Sequence, residues 1–225
     1  VIGDVSNRGG NPITIQSDSS IGGNVDAGTA IIIQDSDVVG DVSNRGGNSI
    51  TIQSGSSING NVDAGTAITI QASDVVGDVS NRGNNPVTIQ SDSSIDGNID
   101  SQGLLIIEDS EVQGNINSTN SNIELNVGTE IHGNATAANN NWAKIYFKDY
   151  NDNNRSIVHG TCLYRTEPEG ACGPIDPPIR RAPDALASAN AVERWSTSVD
   201  RAVIAAPRPP SNSERRRRRL ERTIQ

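Results

Sequence analysis

The sequence predicts an all-β fold, a parallel β-solenoid of about eight coils, and three observations point to it. First, the stretch "VVGDVSNRGGNSITIQSGSSINGNVDAGTAITIQASD" at 38–74 recurs with few changes at 1–37 and 75–111, and in a blurred fourth copy after that. Second, a finer rhythm lies inside this 37-residue unit. "IGDVS", "GGNVD", "VGDVS", "NGNVD", "VGDVS", "DGNID" and "QGNIN" follow one another at alternating gaps of about 20 and 17 residues, and "HGNAT" continues them. Third, the chain is 33% hydrophobic and 3% aromatic and has no Met among its 225 residues. So few large apolar groups cannot fill a conventional core of this length, whereas a thin column of small aliphatics needs no more.

Within each half-repeat, a short strand such as Val38-x-Gly40-x-Val42 precedes a second such as Ile50-x-Ile52. Both alternate β-branched residues with Asp, Asn, Thr or Gln, and no stretch of the region has helical spacing. Each half-repeat then forms one coil, stacked on the next about 4.8 Å away. A lone coil is unstable, since some five buried aliphatics do not offset the ordering of its backbone. Only the stack supplies ladder hydrogen bonds and interior contacts on both sides.

Outward residues fall into columns. Gln16, Gln34, Gln53, Gln71 and Gln90 follow the second strand of successive coils and are expected to form an amide ladder. Asp4, Asn24, Asp41, Asn61, Asp78 and Asn98 precede the second apolar residue of the first motif; Ser6, Asp26, Ser43, Asp63, Ser80 and Asp100 follow it. Each coil thus carries one Asp of the pair, and its column switches from coil to coil. Like charges in one column sit about 9.6 Å apart instead of one coil apart, where they would repel by about 1 kcal/mol in water and several-fold more at a lower effective dielectric. The insertion "NRGGN" makes alternate coils longer by three residues and projects Arg8, Arg45 and Arg82 from one edge. With no aromatic nearby and an acidic surrounding, an Arg that neutralises adjacent Asp fits better than an RNA-binding RGG tract.

The fourth copy loses its Arg and brings Trp142, Tyr146, Phe147 and Tyr150 together. That cluster is expected to cap the last coil, a sugar-binding platform being the sharper alternative. Val1 lies inside a repeat at full strength. The chain therefore reads as a processed product or fragment whose first coil is met by further coils or by another molecule. The solenoid is placed at 1–149, a Cys/Pro/Gly-rich linker at 150–182, and a possible amphipathic helix with a disordered Arg-rich tail at 183–225. Cys162 and Cys172, the only cysteines, suit one disulfide. The run Arg215 to Arg219 is a candidate for an anionic partner.

Charge and composition exclude several classes. Residues 1–149 hold 5 basic and 18 acidic side chains (5 − 18 = −13), so no nucleic acid is expected there; residues 150–225 hold 13 and 9 (13 − 9 = +4). No apolar run is long enough to span a membrane as a helix. Catalysis is not expected, because the carboxylates recur on solvated faces and none is singled out. His132 in "EIHGN" resembles the groove histidine of left-handed hexapeptide acyltransferases, but their hexapeptide fits only once per coil. No cofactor is expected. Calcium is the one weighed, at Asp35, Asp37 and Asp41, without the nonapeptide of calcium-binding β-rolls. An ice-binding face would use Thr14, Thr51, Thr69 and Thr88, but Ile32 and Ile106 interrupt that column. Asn117, Asn134 and Asn154 head glycosylation sequons, relevant only in a glycosylating source.

The recurrent "V-x-G-D-V" and "I-x-G-N-V", each followed by "I-x-I" at an 18-residue rhythm, resembles bactofilins, over residues 1–149 at most. Val38, Gly40, Val42, Ile50 and Ile52 and their equivalents match that pattern. The resemblance implies a compact β-helix that polymerises end to end without nucleotide, between disordered tails, on the cytoplasmic side of a membrane. The 37-residue repeat, the Arg loop and the Cys pair depart from it and suit a secreted or surface fibre. The expectation is therefore a non-enzymatic structural protein that stacks end to end with copies of itself, extracellular or at the cell surface. An adhesin-like stalk that binds through its cap or tail, and a cytoplasmic, membrane-associated polymer, are the alternatives.

Overall fold

The computed structural model of the chain describes residues 1–138, 143–148, 155–163, 165–169 and 171–172. The chain divides into two units, Val1–Pro174 and Ile175–Gln225, and all of the second lies outside the described residues. The expected helix within 183–206 and the run Arg215 to Arg219 fall there.

The first unit is a parallel β-solenoid of about eight turns, with no helix among its described residues. Its strands form three parallel sheets of nine, nine and eight strands. The first runs from Val5–Asn7 through Val25–Ala27 and Val42–Asn44 to Cys162–Leu163; the second from Ile13–Ile15 through Ile31–Gln34 and Ile50–Gln53 to Arg165–Glu167. The third, from Ser19–Ile21 through Ser36–Val38 to Ile157–Val158, corrects the reading of two strands per coil. The run expected as one strand, 38–42, is broken. Val38 ends a strand of the third sheet, Val39 to Asp41 turn a corner, and Val42 starts a strand of the first. Because the corner spans three residues, Val38 and Val42 both still point inward, so the period-2 pattern reads straight through the bend.

Glycine makes that corner possible. Gly23, Gly40, Gly60, Gly77, Gly97 and Gly114 lie one above another, and a Cβ at Gly77 would sit 2.5 Å from the carbonyl oxygen of Gly60. The coils approach too closely there for any side chain. At the corner between the second and third sheets the backbone is left-handed instead. One residue turns it in the short coils, as at Asp35 (φ 50°) and Asp109 (φ 44°); two turn it in the long ones, as at Ser17 and Asp18 (φ 61° and 57°). Asp tolerates this region better than most residues with a Cβ, while Ser17 and Ala72 (φ 49°) adopt it at equivalent corners. The three extra residues of a long coil are thus split, which corrects their assignment to "NRGGN" alone. Asn7 to Ile13 is two residues longer than Ala27 to Ile31, and Ile15 to Ile21 one longer than Ile33 to Val38.

Five inward positions per coil make the core. Val62, Ala64, Ile68, Ile70 and Val75 of one coil are each buried, and the same positions recur along the stack. The third inward corner carries a polar column. Ser36, Ser56, Ser73, Ser93 and Ser110 are buried, and each hydroxyl accepts from the backbone N–H of the Ser one coil before it (3.2–3.3 Å) while donating to a carbonyl of its own coil. A column of hydroxyls satisfied in this way closes the corner without orphaned donors.

The sheets continue past the boundary expected at 149, since Ile157–Val158, Cys162–Leu163 and Arg165–Glu167 add a further turn. Cys162 and Cys172 are joined in a disulfide, with Cα atoms 5.8 Å apart. The aromatic cluster is not an end cap where it is described. Phe147 points inward over Leu125, Tyr146 points outward over Glu124, and the strand that carries both is itself covered by Arg165–Glu167. Period-2 alternation simply continues through "KIYF". Trp142 and Tyr150 lie outside the described residues.

Candidate functional site

The predicted outward columns take shape on this frame. Asp4 Oδ1 accepts the backbone N–H of Asn24 (2.7 Å), Asn24 Oδ1 that of Asp41 (2.8 Å), Asp41 that of Asn61 (2.7 Å), Asn61 that of Asp78 (2.8 Å) and Asp78 that of Asn98 (2.7 Å). The chain of bonds runs on through Asn115 and Asn134 to the N–H of Thr161 (2.8 Å). Each contact between coils is thus closed by one carboxylate or carboxamide oxygen on the backbone of the next coil. Asp and Asn share the acceptor oxygen but not the charge, which is why they can alternate. In the neighbouring column Ser6, Asp26, Ser43, Asp63, Ser80 and Asp100 pair in register, out of phase with the first.

The Gln column aligns as well, with Gln34, Gln53, Gln71 and Gln90 in register and Gln16 following Ile15 one coil earlier. Among the described residues no amide–amide hydrogen bond joins these side chains; the ladder that does form is the Asp/Asn one. An amide flanked by solvent gains little from its neighbour, whereas the Asp/Asn oxygens meet backbone donors that would otherwise lie unpaired at a corner. Arg45 and Arg82 each reach the Asp of the preceding coil, Arg45 Nε at 4.0 Å from Asp26 and Arg82 in a close ion pair with Asp63. Arg8, on the first coil, is exposed. The loop that carries each Arg is tied by the preceding Asn. The carboxamide of Asn44 donates to the Asn48 carbonyl (2.6 Å) and accepts from the Gly46 N–H (2.8 Å), and Asn7 and Asn81 repeat the pattern.

Other predicted sites divide. Thr14, Ile32, Thr51, Thr69, Thr88 and Ile106 form one outward column, so the interruptions fall where the sequence puts them. Asp35, Asp37 and Asp41 do not converge. Among the described residues, Glu130, His132 and His159 alone bring three metal-ligating groups together, their ligand atoms within 4.8 Å of one another. Asn134 is committed to the ladder, its Nδ2 on Asn115 Oδ1 at 3.1 Å, and Asn117 Nδ2 reaches Asp100 Oδ1 at 3.3 Å. Asn154 lies outside the described residues.

The remaining candidate surface is the coil face itself. Val5–Asn7, Ile13–Ile15 and Ser19–Ile21 are the edge strands of the three sheets, and Val1, Val5, Ile13, Ile15 and Ile21 line an opening onto the interior column. Sequence reasoning missed the Gly column, the buried Ser column and the third sheet. The recurrent Gly and Ser were visible, but as turn residues, and only the stacking shows them meeting across coils. Comparison with protein-family models, with curated proteins and with solved structures found no match to this chain.

Proposed function

We propose that the chain is a non-enzymatic structural protein whose coils stack end to end with those of further copies, building a filament or surface fibre. The observation that carries the reading is the unbroken ladder from Asp4 to Thr161. Every coil meets the next through the same glycine approach, the same backbone register and the same side-chain oxygen on a backbone N–H. A coil face specified so uniformly fits another coil of its kind better than any other partner. A further coil would pair in parallel with all three sheets at once, as Val25–Ala27, Ile31–Gln34 and Ser36–Val38 already do with the coil before them. A catalytic role finds less support, since the carboxylates of the repeats serve one another and the backbone in every coil alike.

The Cys162–Cys172 disulfide favours an oxidising compartment and hence an extracellular or surface position over the cytoplasmic, membrane-associated placement that likeness to bactofilins implies. Negative-stain images of the purified chain, read with sedimentation over a concentration series, test the assembly. Unbranched filaments one solenoid wide are expected. Short particles that stay monodisperse at high concentration and at every ionic strength would refute it.

A further inference from the structure

The two histidines of the chain stand on one column. The residue after the inward apolar position of the third sheet is Val39, Asn59, Val76, Asp96, Gln113, His132 and His159 in successive coils, each N–H bonded to the coil before. Where the repeat is strong this column carries no imidazole; in the last two coils it carries one in each. The rings stack with centroids 4.9 Å apart and planes 16° from parallel. Glu130 Oε1 lies between them, 2.8 Å from His159 Nε2 and 3.8 Å from His132 Nε2, and Glu111 Oε1 is 3.0 Å from His132 Nε2. Glu111 is also held by Gln113, whose Nε2 donates to it at 2.6 Å.

We propose that Nε2 of His132, Nε2 of His159 and the carboxylate of Glu130 form a binding site for a divalent transition ion of the zinc class. Two imidazoles and one carboxylate are the donor set such ions take, and it is one that magnesium and calcium, which favour all-oxygen sites, do not. Tetrahedral zinc with bonds of about 2.0–2.1 Å holds its ligand atoms about 3.4 Å apart. The two Glu130 distances, 2.8 and 3.8 Å, bracket that value. The side chains are between a third and a half exposed, so small rotations of the imidazoles can bring both nitrogens to bonding distance. Glu111, whose Oε1 lies 3.0 Å from that same His132 Nε2, is placed to take the fourth position, which otherwise remains open to water. An ion there ties the coil of Glu130 and His132 to the coil of His159, at the end of the stack where the 37-residue repeat has faded. This site stands apart from the assembly reading, and either can fail alone.

Titration of the tag-free full chain with Zn2+ by calorimetry, and with Co2+ by visible absorption, tests the site. One ion per chain is expected, with the absorption of tetrahedral cobalt. His132→Ala, His159→Ala and Glu130→Gln should each weaken binding by about tenfold or more, while Mg2+ and Ca2+ do not compete. Far-UV circular dichroism identifies any variant that fails to fold, and His159→Gln, which keeps a polar side chain of similar reach, replaces it. No binding of either ion, or binding undiminished in the His132→Ala/His159→Ala double variant, would overturn the proposal.

Discussion

The coils up to Asp109 and the coils from Glu111 onward keep the same interior and part company outside. In both regions most inward positions are aliphatic, with Phe147 the one aromatic among the described core residues, the corner glycines meet across coils, and the Asp/Asn column closes on the next backbone. Outside, the first region repeats Asp, Ser, Thr, Gln and Arg in fixed phase. The second substitutes Glu111, Glu130, His132, Lys144, Tyr146 and His159 at equivalent register positions. The difference separates two kinds of constraint. Positions that touch the neighbouring coil's backbone are dictated by a spacing of about 4.8 Å. Positions that face water are free, and new chemistry can arise there without disturbing the stack.

Substitutions in the middle of the stack against the same changes at its end should sharpen this contrast. The largest effect is expected at the glycine column. Gly77→Ala puts a methyl 2.5 Å from the Gly60 carbonyl oxygen, and only movement of one coil against another relieves it, at a cost of about 4 kcal/mol or more in unfolding free energy by denaturant titration. Gly160→Ala meets Gly133 at a similar distance, but in a turn that can fray, so its loss should be local and smaller. Next comes the core. Ile70→Ala should cost about 2–4 kcal/mol, and the matched Ile145→Ala less, if stability is a sum over neighbouring coils.

Alternation within the Asp/Asn column is tested by Asn61→Asp, which places carboxylates on three successive coils, Asp41, 61 and Asp78. The acceptor oxygen survives and only the charge changes, so a destabilisation of about 1–2 kcal/mol that shrinks in high salt is expected. Equal stability at low and high salt would mean that the alternation is a by-product of duplication. The smallest effect belongs to Arg82→Ala. Its ion pair with Asp63 is largely exposed, and the change should stay below about 1 kcal/mol in the same titration.

How much of this was legible in the sequence follows the same division. The number of coils, their register and the phase of Asp4, Asp41 and Asp78 could be read because repetition makes one alignment serve every coil. The third sheet could not, since the corner from Val39 to Asp41 preserves parity and leaves the alternation of Val38 and Val42 intact. Phe147 and Tyr146 read as a cap by residue type, while their alternation within "KIYF" already marked an ordinary strand. The site formed by Glu130, His132 and His159 was hidden for another reason. Glu130 and His132 are near neighbours, but His159 lies 27 residues beyond His132 (159 − 132 = 27), in a part of the chain where the repeat is too faint to align, and only the stacked backbone brings the two imidazoles together.

Fibre diffraction from oriented assemblies tests the central claim most directly, because it reads the coil spacing across molecular junctions. A continuous ladder predicts a meridional reflection at about 4.8 Å and a second at about twice that spacing, from the alternation of long and short coils, with the axis of each solenoid along the fibre. Assemblies in which the 4.8 Å reflection lies on the equator, or solutions that yield no ordered assembly at all, would contradict it.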